Sequence, residues 1–197
     1  MSHLLENIKM NDFIKYDTSS GEVSYVNSYN CSGEGIIDLI KNVKNPIGIE
    51  IGSDVGETAS YLLETRKDLF LHCIDPYETY IDWNGNNLND REAVLKTFVE
   101  RMKPYEDRYD LLKMKSDRGA KQFFDDSVDF VFIDGLHEYE QTLRDCLNYW
   151  PIVKSGGLFC GHDYNTIPGV NKSVNEFANR VNKQILTTTN DVWYFYK

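Results

Sequence analysis

The sequence predicts a doubly wound α/β fold, in which helices cover both faces of a mostly parallel sheet. From residue 46 onward, short β-branched or apolar runs alternate with segments of helical periodicity, which is the pattern of repeated β-α-β units. The chain then ends in two strand-like runs joined by Asn190 and Asp191, which predicts a tight hairpin. We therefore expect one Rossmann-like domain over residues 1–197, with a seven-stranded sheet and an antiparallel C-terminal hairpin strand.

The chain divides into an N-terminal cap, residues 1–45, and a Rossmann-like core, residues 46–197. Helix-capping and turn residues mark the boundaries of the predicted helices and strands. Ser32 and Asp90 carry side chains that cap helix N-termini, and the segment 155–157, Ser-Gly-Gly, is typical of a helix C-terminus. The predicted helices span residues 4–16, 32–44, 56–67, 90–102, 119–124, 139–153 and 170–181. The predicted strands span residues 47–51, 69–74, 109–114, 128–133, 158–161, 184–189 and 192–196. Polar, Gly-rich or Asn-rich composition predicts loops over residues 17–30 and 84–89.

The charge balance argues against a nucleic-acid partner. Lys and Arg number 21 against 31 Asp and Glu, a net charge of −10, and no basic stripe is visible, whereas nucleic-acid binding depends on Lys and Arg. No apolar run approaches the ~18 residues of a membrane span, so we expect no membrane partner. The four cysteines form no CxxC pair, which favours a reducing, cytoplasmic setting. A homo-oligomer is compatible with this composition.

A glycine turn follows the first core strand, in the sequence EIGSDVGET of residues 50–58. Gly52 and Gly56 allow a close backbone approach to a ligand, the following helix offers free N–H groups, and Thr58 adds a hydroxyl. Asp54 stands where the dinucleotide pattern GxGxxG has its middle glycine, and a carboxylate there disfavours a pyrophosphate. The turn therefore disfavours a nicotinamide dinucleotide, and an ordinary structural turn is the alternative.

Acidic and hydroxyl side chains follow the next two strands. Asp75 ends the second strand in CIDPY, a position from which a carboxylate accepts hydrogen bonds from both hydroxyls of a ribose. Ser116 and Asp117 end the third strand, where they could bind an adenine amino group. The alternatives are a loop carboxylate for Asp75 and a helix N-cap for Asp117.

Four polar side chains follow the fourth and fifth strands. Asp134 and His137 lie in FIDGLHEYE, and His162 and Asp163 lie in GGLFCGHDY. Since the carboxyl ends of neighbouring parallel strands meet in one crevice, we expect these four side chains to converge. Two carboxylates and an imidazole suit a divalent metal, and the other imidazole suits a general base. Helix capping by Asp134 and His162 is the structural alternative.

The segments EIGSDVGET, CIDPY, FIDGLHEYE and GGLFCGHDY resemble motifs of the small class I methyltransferases grouped with macrocin O-methyltransferase and the cephalosporin-hydroxylase-like proteins. The resemblance covers about residues 46–165, and the combination of DGxHxYE with GGxxxxHDY is fairly specific to that group. It implies an S-adenosylmethionine-dependent methyltransferase whose acceptor is a hydroxyl of a sugar, a glycan or a sugar-containing small molecule.

The resemblance also implies roles for individual residues. Several members of the group hold Mg²⁺ with an aspartate after the fourth strand and a pair of acidic residues after the fifth, and Asp134 and Asp163 match these acids. His162 stands in place of the first acid of that pair, which could shift the metal preference from Mg²⁺ toward Mn²⁺. His137 matches the catalytic base three residues after Asp134, so the expected catalytic residues are His137 and Asp134. The expected S-adenosylmethionine-binding residues are Glu50, Gly52, Ser53, Gly56, Thr58, Asp75, Ser116, Asp117 and Asp134.

Other functions stay open at this stage. A hydroxylase-like or other enzyme is one alternative, because a fold does not fix a reaction. A non-catalytic S-adenosylmethionine-binding module and a nicotinamide oxidoreductase are the others, disfavoured by the Asp/His cluster and by Asp54 respectively. Aromatic side chains in the predicted loops could stack on a sugar ring or simply anchor those loops: Tyr77, Tyr80, Trp83 and Tyr164.

Overall fold

The computed structural model describes residues 13–16, 23–26, 32–82, 84–188 and 190–197. A seven-stranded sheet, mostly parallel with an antiparallel C-terminal strand pair, confirms the predicted architecture. The strands in chain order are β1 (Phe13–Tyr16), β2 (Val23–Val26), β3 (Ile47–Ile51), β4 (Phe70–Ile74), β5 (Tyr80–Ile81), β6 (Asn87–Leu88), β7 (Tyr109–Leu112), β8 (Val128–Ile133), β9 (Val153–Gly161), β10 (Leu186–Thr187) and β11 (Trp193–Tyr196). The helices are α1 (Ser32–Ile40), α2 (Glu57–Thr65), α3 (Arg91–Met102), α4 (Ser116–Gly119), α5 (Tyr139–Tyr149) and α6 (Pro168–Arg180), with 3₁₀ turns at Lys103–Tyr105 and Ala120–Gln122.

The order of the sheet reverses between its two central strands. The order is β10-β11-β9-β8-β3-β4-β7, so the chain builds outward from β3 to β7 and then returns to build from β8 to β9 on the other side. The strand pairs β7-β4, β4-β3, β3-β8 and β8-β9 are parallel, whereas β11 is antiparallel to β9. In such a sheet a crevice opens at the carboxyl ends of β3 and β8.

Two apolar layers attach the helices to the sheet. Ile36, Leu62 and Phe98 of α1, α2 and α3 belong to one layer, and Tyr149 and Phe177 of α5 and α6 belong to the other. All five side chains are buried, and full burial of such an apolar side chain contributes roughly 1.5–3 kcal/mol. The packing therefore fixes the ends of the strands and the residues that follow them.

The N-terminal cap differs from the prediction. Residues 13–16, predicted as the end of a helix, form β1, and residues 23–26, predicted as loop, form β2. The two strands pair antiparallel, and the sequence Val-Ser-Tyr-Val of β2 has the β-branched and aromatic residues that favour strands. Residues 4–12 lie outside the described residues. The next helix, α1, ends at Ile40, earlier than predicted.

The helix after β8 also ends earlier than predicted. α5 ends at Tyr149, and the segment 155–157, predicted as its C-terminus, lies inside β9. Pro151 accounts for the difference, because proline lacks an N–H and clashes with the preceding helical turn. Gly156 has a φ of +78°, and the register of β9 against β8 shifts in this region. Gly156 and Gly157 thus lie at a bulge-like irregularity in β9 and do not cap a helix.

Shorter elements were predicted with mixed success. The predicted loop at 84–89 contains β6, which pairs with β5 as a hairpin, and α4 begins at Ser116 and not at 119. Asp90 caps α3 as predicted, since its carboxylate accepts a hydrogen bond from the Ala93 N–H at 3.2 Å. The glycine turn likewise ends in a helix as predicted, with Gly56 as its N-cap.

The helices of the described ranges fall short of what a bilayer crossing requires in length and hydrophobicity. Cys73, Cys146 and Cys160 carry free thiols and are buried. They pack as small apolar side chains in the two layers.

Candidate active site

A cavity of about 470 Å³ opens at the carboxyl ends of the parallel strands, where the order of the sheet reverses. The segments that follow β3, β4, β7 and β8 line it. Five of the predicted cofactor-binding residues contribute to its wall: Gly52, Asp75, Ser116, Asp117 and Asp134. The other four lie in β3, the glycine turn or the start of α2, outside the wall: Glu50, Ser53, Gly56 and Thr58.

Gly52 is required by the packing of the protein itself. Its φ is +86°, and a Cβ atom at this position would lie 2.1 Å from the backbone oxygen of Asp134. Its N–H donates to the Ile74 carbonyl at 2.8 Å. The glycine therefore permits the ends of β3, β4 and β8 to approach each other closely, which shapes the cavity wall.

Glu50 lies under the glycine turn and is 2% exposed. Its Oε2 atom has no hydrogen-bond partner among the described residues. Burial disfavours the charged carboxylate and raises the pKa of Glu50 to about 8. A buried carboxyl oxygen without a partner, two residues from the cavity-lining Gly52, suits a cationic group of a ligand.

Asp75 lies at the end of β4 and is almost fully buried. Its Oδ2 accepts a hydrogen bond from the Asp54 N–H at 3.0 Å, and its Oδ1 accepts one from the Tyr77 N–H at 2.8 Å. Burial raises the pKa of Asp75, while these hydrogen bonds and the charge of Arg91 act in the opposite direction. The carboxylate is thus fixed in one orientation at the cavity wall.

Arg91, the first residue of α3, is a cavity residue that the sequence did not predict. Its guanidinium lies 2.8 Å from Asp54 Oδ1 and 3.6 Å from Asp75 Oδ2, and its side chain is 7% exposed. It also lies 5.4 Å from the centre of the Tyr80 ring. No local pattern indicated this role, because Asp54 and Asp75 are far from Arg91 in the chain.

The predicted metal ligands lie together. Asp134 follows β8, and His162 and Asp163 follow β9, which pairs with β8 in parallel. One ligand atom from each residue lies within 4.8 Å of the others. The Nδ1 atom of His162 is 3.3 Å from Asp163 Oδ1 and 3.9 Å from Asp134 Oδ1. Two carboxylates and one imidazole nitrogen therefore face a common point.

His137 joins the same cluster. Its Nε2 atom is 3.2 Å from Asp134 Oδ1 and 3.0 Å from Asp163 Oδ2. Burial opposes the charged form of His137, but hydrogen bonds to both carboxylates and their negative charges outweigh it and raise its pKa to about 9. In this arrangement the two carboxylates favour the imidazolium form of His137 at neutral pH.

Two further cavity residues lie on α5. Asp145 is 1% exposed, and its Oδ1 accepts a hydrogen bond from Gln141 Nε2 at 3.0 Å. Gln141 Nε2 also lies 3.1 Å from Ser116 Oγ. Burial raises the pKa of Asp145 to about 7. The sequence did not predict either residue, although it carries a signal for Asp145: this carboxylate precedes Cys146 on the apolar face of an amphipathic helix.

The aromatic residues proposed to contact an acceptor have different positions. Tyr77 is 6% exposed and donates its hydroxyl hydrogen bond to the Asp54 carbonyl, so it anchors the turn. Tyr80 lines the cavity, and the Tyr164 hydroxyl contacts Asn175. Trp83 lies outside the described residues.

Comparison with known proteins gives matches to a family and to solved structures. Residues 49–164 match the family model described as a methyltransferase domain, whereas the comparison with curated proteins gives no match. The O-methyltransferase NovP aligns at 17% identity, over 84% of this chain and 77% of that chain, with a TM-score of 0.60. CalS11, a TDP-rhamnose 3'-O-methyltransferase of calicheamicin biosynthesis, aligns at 12% identity, over 84% and 76%, with a TM-score of 0.58.

A structure with another reaction shares the fold as well. The precorrin 8w decarboxylase of Methanobacterium thermoautotrophicum aligns at 13% identity, over 84% of this chain and 88% of that chain, with a TM-score of 0.62. At such identities the structural matches demonstrate a common fold and leave the acceptor to be argued from the site.

Proposed function

Because the chain belongs to the methyltransferase-domain family and is a class I S-adenosylmethionine-dependent methyltransferase, we propose that it methylates a hydroxyl group of a sugar, a glycan or a sugar-containing small molecule. The observation that carries this proposal is the convergence of Asp134, His137, His162 and Asp163 beside the cavity. The name of CalS11 as a TDP-rhamnose 3'-O-methyltransferase supports a sugar acceptor.

The cavity has features that fit S-adenosylmethionine. Its volume of about 470 Å³ lies in the range of small-molecule sites. Asp75, with its carboxylate fixed at the wall, would accept hydrogen bonds from the ribose hydroxyls, and Ser116 and Asp117 would contact the adenine. The unpartnered Oε2 atom of Glu50 would accept a hydrogen bond from the amino group of the methionine moiety. When bound, the sulfonium supplies an electrophilic methyl group.

The Asp/His cluster fits a divalent cation. His162 Nε2 lies 3.1 Å from the Asn190 carbonyl oxygen, which can only accept, so the proton is on Nε2. Burial disfavours the charged form of His162, but the hydrogen bond to Asp163 and the charges of both carboxylates outweigh it and raise its pKa to about 9. A cation held by Asp134 and Asp163 would displace the proton of Nδ1, which would then be a ligand while Nε2 stays hydrogen-bonded to a carbonyl, as is usual for a metal-binding histidine. Asp134, His162 and Asp163 would hold the cation, which would lower the pKa of a coordinated hydroxyl group. The imidazole ligand favours Mn²⁺ over Mg²⁺ relative to a set of oxygens alone.

His137 is the proposed general base. Its imidazolium pairs with the two carboxylates that would hold the cation, so His137 would lose the interactions that keep it protonated if a cation were bound there. Neutral His137 then accepts the proton of the acceptor hydroxyl at Nε2. The hydroxyl oxygen forms a bond to the methyl carbon while the carbon–sulfur bond breaks, and the products are a methyl ether and S-adenosylhomocysteine. The chain contributes positioning and proton transfer.

Calorimetric titration tests the cofactor and the metal separately. We expect S-adenosylhomocysteine to bind at micromolar concentrations, NAD not to bind, and Mn²⁺ to bind the parent protein but not D134N. Binding of NAD in place of S-adenosylhomocysteine would refute the cofactor assignment. Equal Mn²⁺ binding by the parent and by D134N would refute the metal assignment.

The acceptor is tested by incubation with S-adenosylmethionine, Mn²⁺ and a panel of free sugars and nucleotide sugars. Mass spectrometry detects the mass of one added methylene group, and NMR locates the methyl group. We expect methylation of a sugar hydroxyl, and H137A should slow it by about 100-fold or more without loss of S-adenosylhomocysteine binding. Methylation only of amine or thiol acceptors in a parallel panel would refute the proposed acceptor class.

A further inference from the structure

The turn between β10 and β11 contacts two of the proposed metal ligands, His162 directly and Asp163 through Thr166. The contacts come from residues that are not themselves proposed ligands. We propose that Asp191 and Thr166 are positioning residues that hold His162 and Asp163 in a ligand geometry suited to a divalent cation. This inference rests on the proposed metal-assisted function. It assigns a role to the C-terminal hairpin that goes beyond closing the edge of the sheet.

Asp191 attaches the segment after β9 to the hairpin turn. Its Oδ1 accepts hydrogen bonds from the Asn165 backbone N–H at 2.9 Å and from Asn165 Nδ2 at 2.6 Å. Its Oδ2 accepts from the Thr166 hydroxyl at 3.0 Å. Three donors on two consecutive residues therefore converge on one carboxylate.

Thr166 continues this connection into the cluster. Its Oγ1 atom also lies 3.0 Å from Asp163 Oδ1, so its single hydroxyl hydrogen is shared between the carboxylates of Asp191 and Asp163. Asp163 has a φ of +61°, a backbone conformation that costs a non-glycine residue energy and persists only where surrounding contacts impose it. The hydrogen bonds that Asp191 accepts from Asn165 and Thr166 supply such contacts.

The same turn orients the imidazole of the cluster. The Asn190 carbonyl accepts from His162 Nε2, which leaves Nδ1 as the nitrogen directed at Asp134 and Asp163. Two neighbouring residues of one turn thus act on two proposed ligands: Asn190 on His162, and Asp191 through Thr166 on Asp163. Such outer contacts typically change metal affinity by roughly 10- to 100-fold when they are removed.

Mn²⁺ titration of the full chain, without any acceptor, tests the proposal. We expect D191N and T166V to weaken Mn²⁺ binding about tenfold or more, T166S to restore it, and S-adenosylhomocysteine affinity to stay within about twofold. D126N is the matched control, because Asp126 is exposed and pairs with Lys197 away from the cluster. Pulsed EPR of bound Mn²⁺ provides a second readout, since a directly bound ¹⁴N from His162 should be lost in H162A and weakened in D191N.

The outcomes separate two failures. Mn²⁺ affinity in D191N and T166V equal to that of the parent and of D126N would overturn the positioning role alone. Absence of Mn²⁺ binding by the parent would overturn the proposed metal assistance and this inference with it. If D191N fails to fold, T166V and T166S decide the question, because valine keeps the shape of threonine without its hydroxyl and serine keeps the hydroxyl.

Discussion

Replacement of Glu50 by glutamine tests the electrostatics beneath the glycine turn. In the cofactor-free protein, burial raises the pKa of Glu50 from 4.5 to about 8, and at about 1.4 kcal/mol per pH unit this difference corresponds to about 4 to 5 kcal/mol. Between these two pH values the unfolded chain has lost the proton that the native state retains. The free energy of unfolding must therefore fall as the pH rises through this window.

Glutamine has a similar size and no charge, so E50Q should lose this pH dependence. We expect the parent and E50Q to be about equally stable at pH 5, within ~1 kcal/mol, and E50Q to be the more stable by roughly 3 to 5 kcal/mol at pH 8.5. Urea denaturation of the cofactor-free protein from pH 5 to 9 measures both. E106Q is the control, because Glu106 is exposed and its replacement should leave the pH dependence unchanged.

A parallel change in the stability of the parent and of E50Q over this pH range would refute the assignment of a neutral, buried Glu50. Such a result would mean that Glu50 is ionised in the native state at low pH, with a cationic or hydrogen-bonding partner that the structure does not show. A second measurement addresses function: E50Q should bind S-adenosylmethionine more weakly than the parent, because the amino group loses a charged acceptor. Stability and cofactor affinity should therefore change in opposite directions above pH 8.

Further variants test single contacts of the site. H137A should lower turnover by about 10²- to 10⁴-fold with S-adenosylhomocysteine affinity within about twofold, and steady-state kinetics showing unchanged turnover would exclude His137 as the base. R91M should weaken S-adenosylhomocysteine binding about tenfold in calorimetry, because Asp75 loses a counter-charge, whereas R91K should retain most of the affinity. G52A should destabilise the fold by about 2 to 5 kcal/mol from strain and overlap with the Asp134 carbonyl, while G85A, where a Cβ meets nothing within 4 Å, should show only the smaller backbone cost in thermal melts.

Local sequence patterns were sufficient for the central strands. β3 and β8 match their predicted bounds, 47–51 and 128–133, because buried parallel strands are continuous apolar runs bounded by turn residues. Local pattern was misleading at 155–157, where Ser-Gly-Gly suggested a helix end. Pro151 had already ended the helix, and backbone hydrogen bonds with Lys197 hold Gly156 and Gly157 in the irregular part of β9, so tertiary context overrode local propensity.

Sequence order was also sufficient to predict the convergence of Asp134, His137, His162 and Asp163. Each follows the carboxyl end of a parallel strand, and the geometry of the fold brings those ends together. The protonation of His137 was not predictable in this way. A histidine suited to act as a base was expected, and the structure places it between two carboxylates that raise its pKa to about 9.

The sequence by itself therefore determined the fold class, the central strands and the set of residues at their ends, because these depend on periodicity and on turn chemistry within a few residues. Tertiary structure decided which of those residues touch. The contacts of Arg91 with Asp54 and Asp75, and of the hairpin turn with the segment after β9, join residues that are distant in the chain. Local patterns carry no information on such pairs, since their geometry is set only when the helices and the sheet pack together.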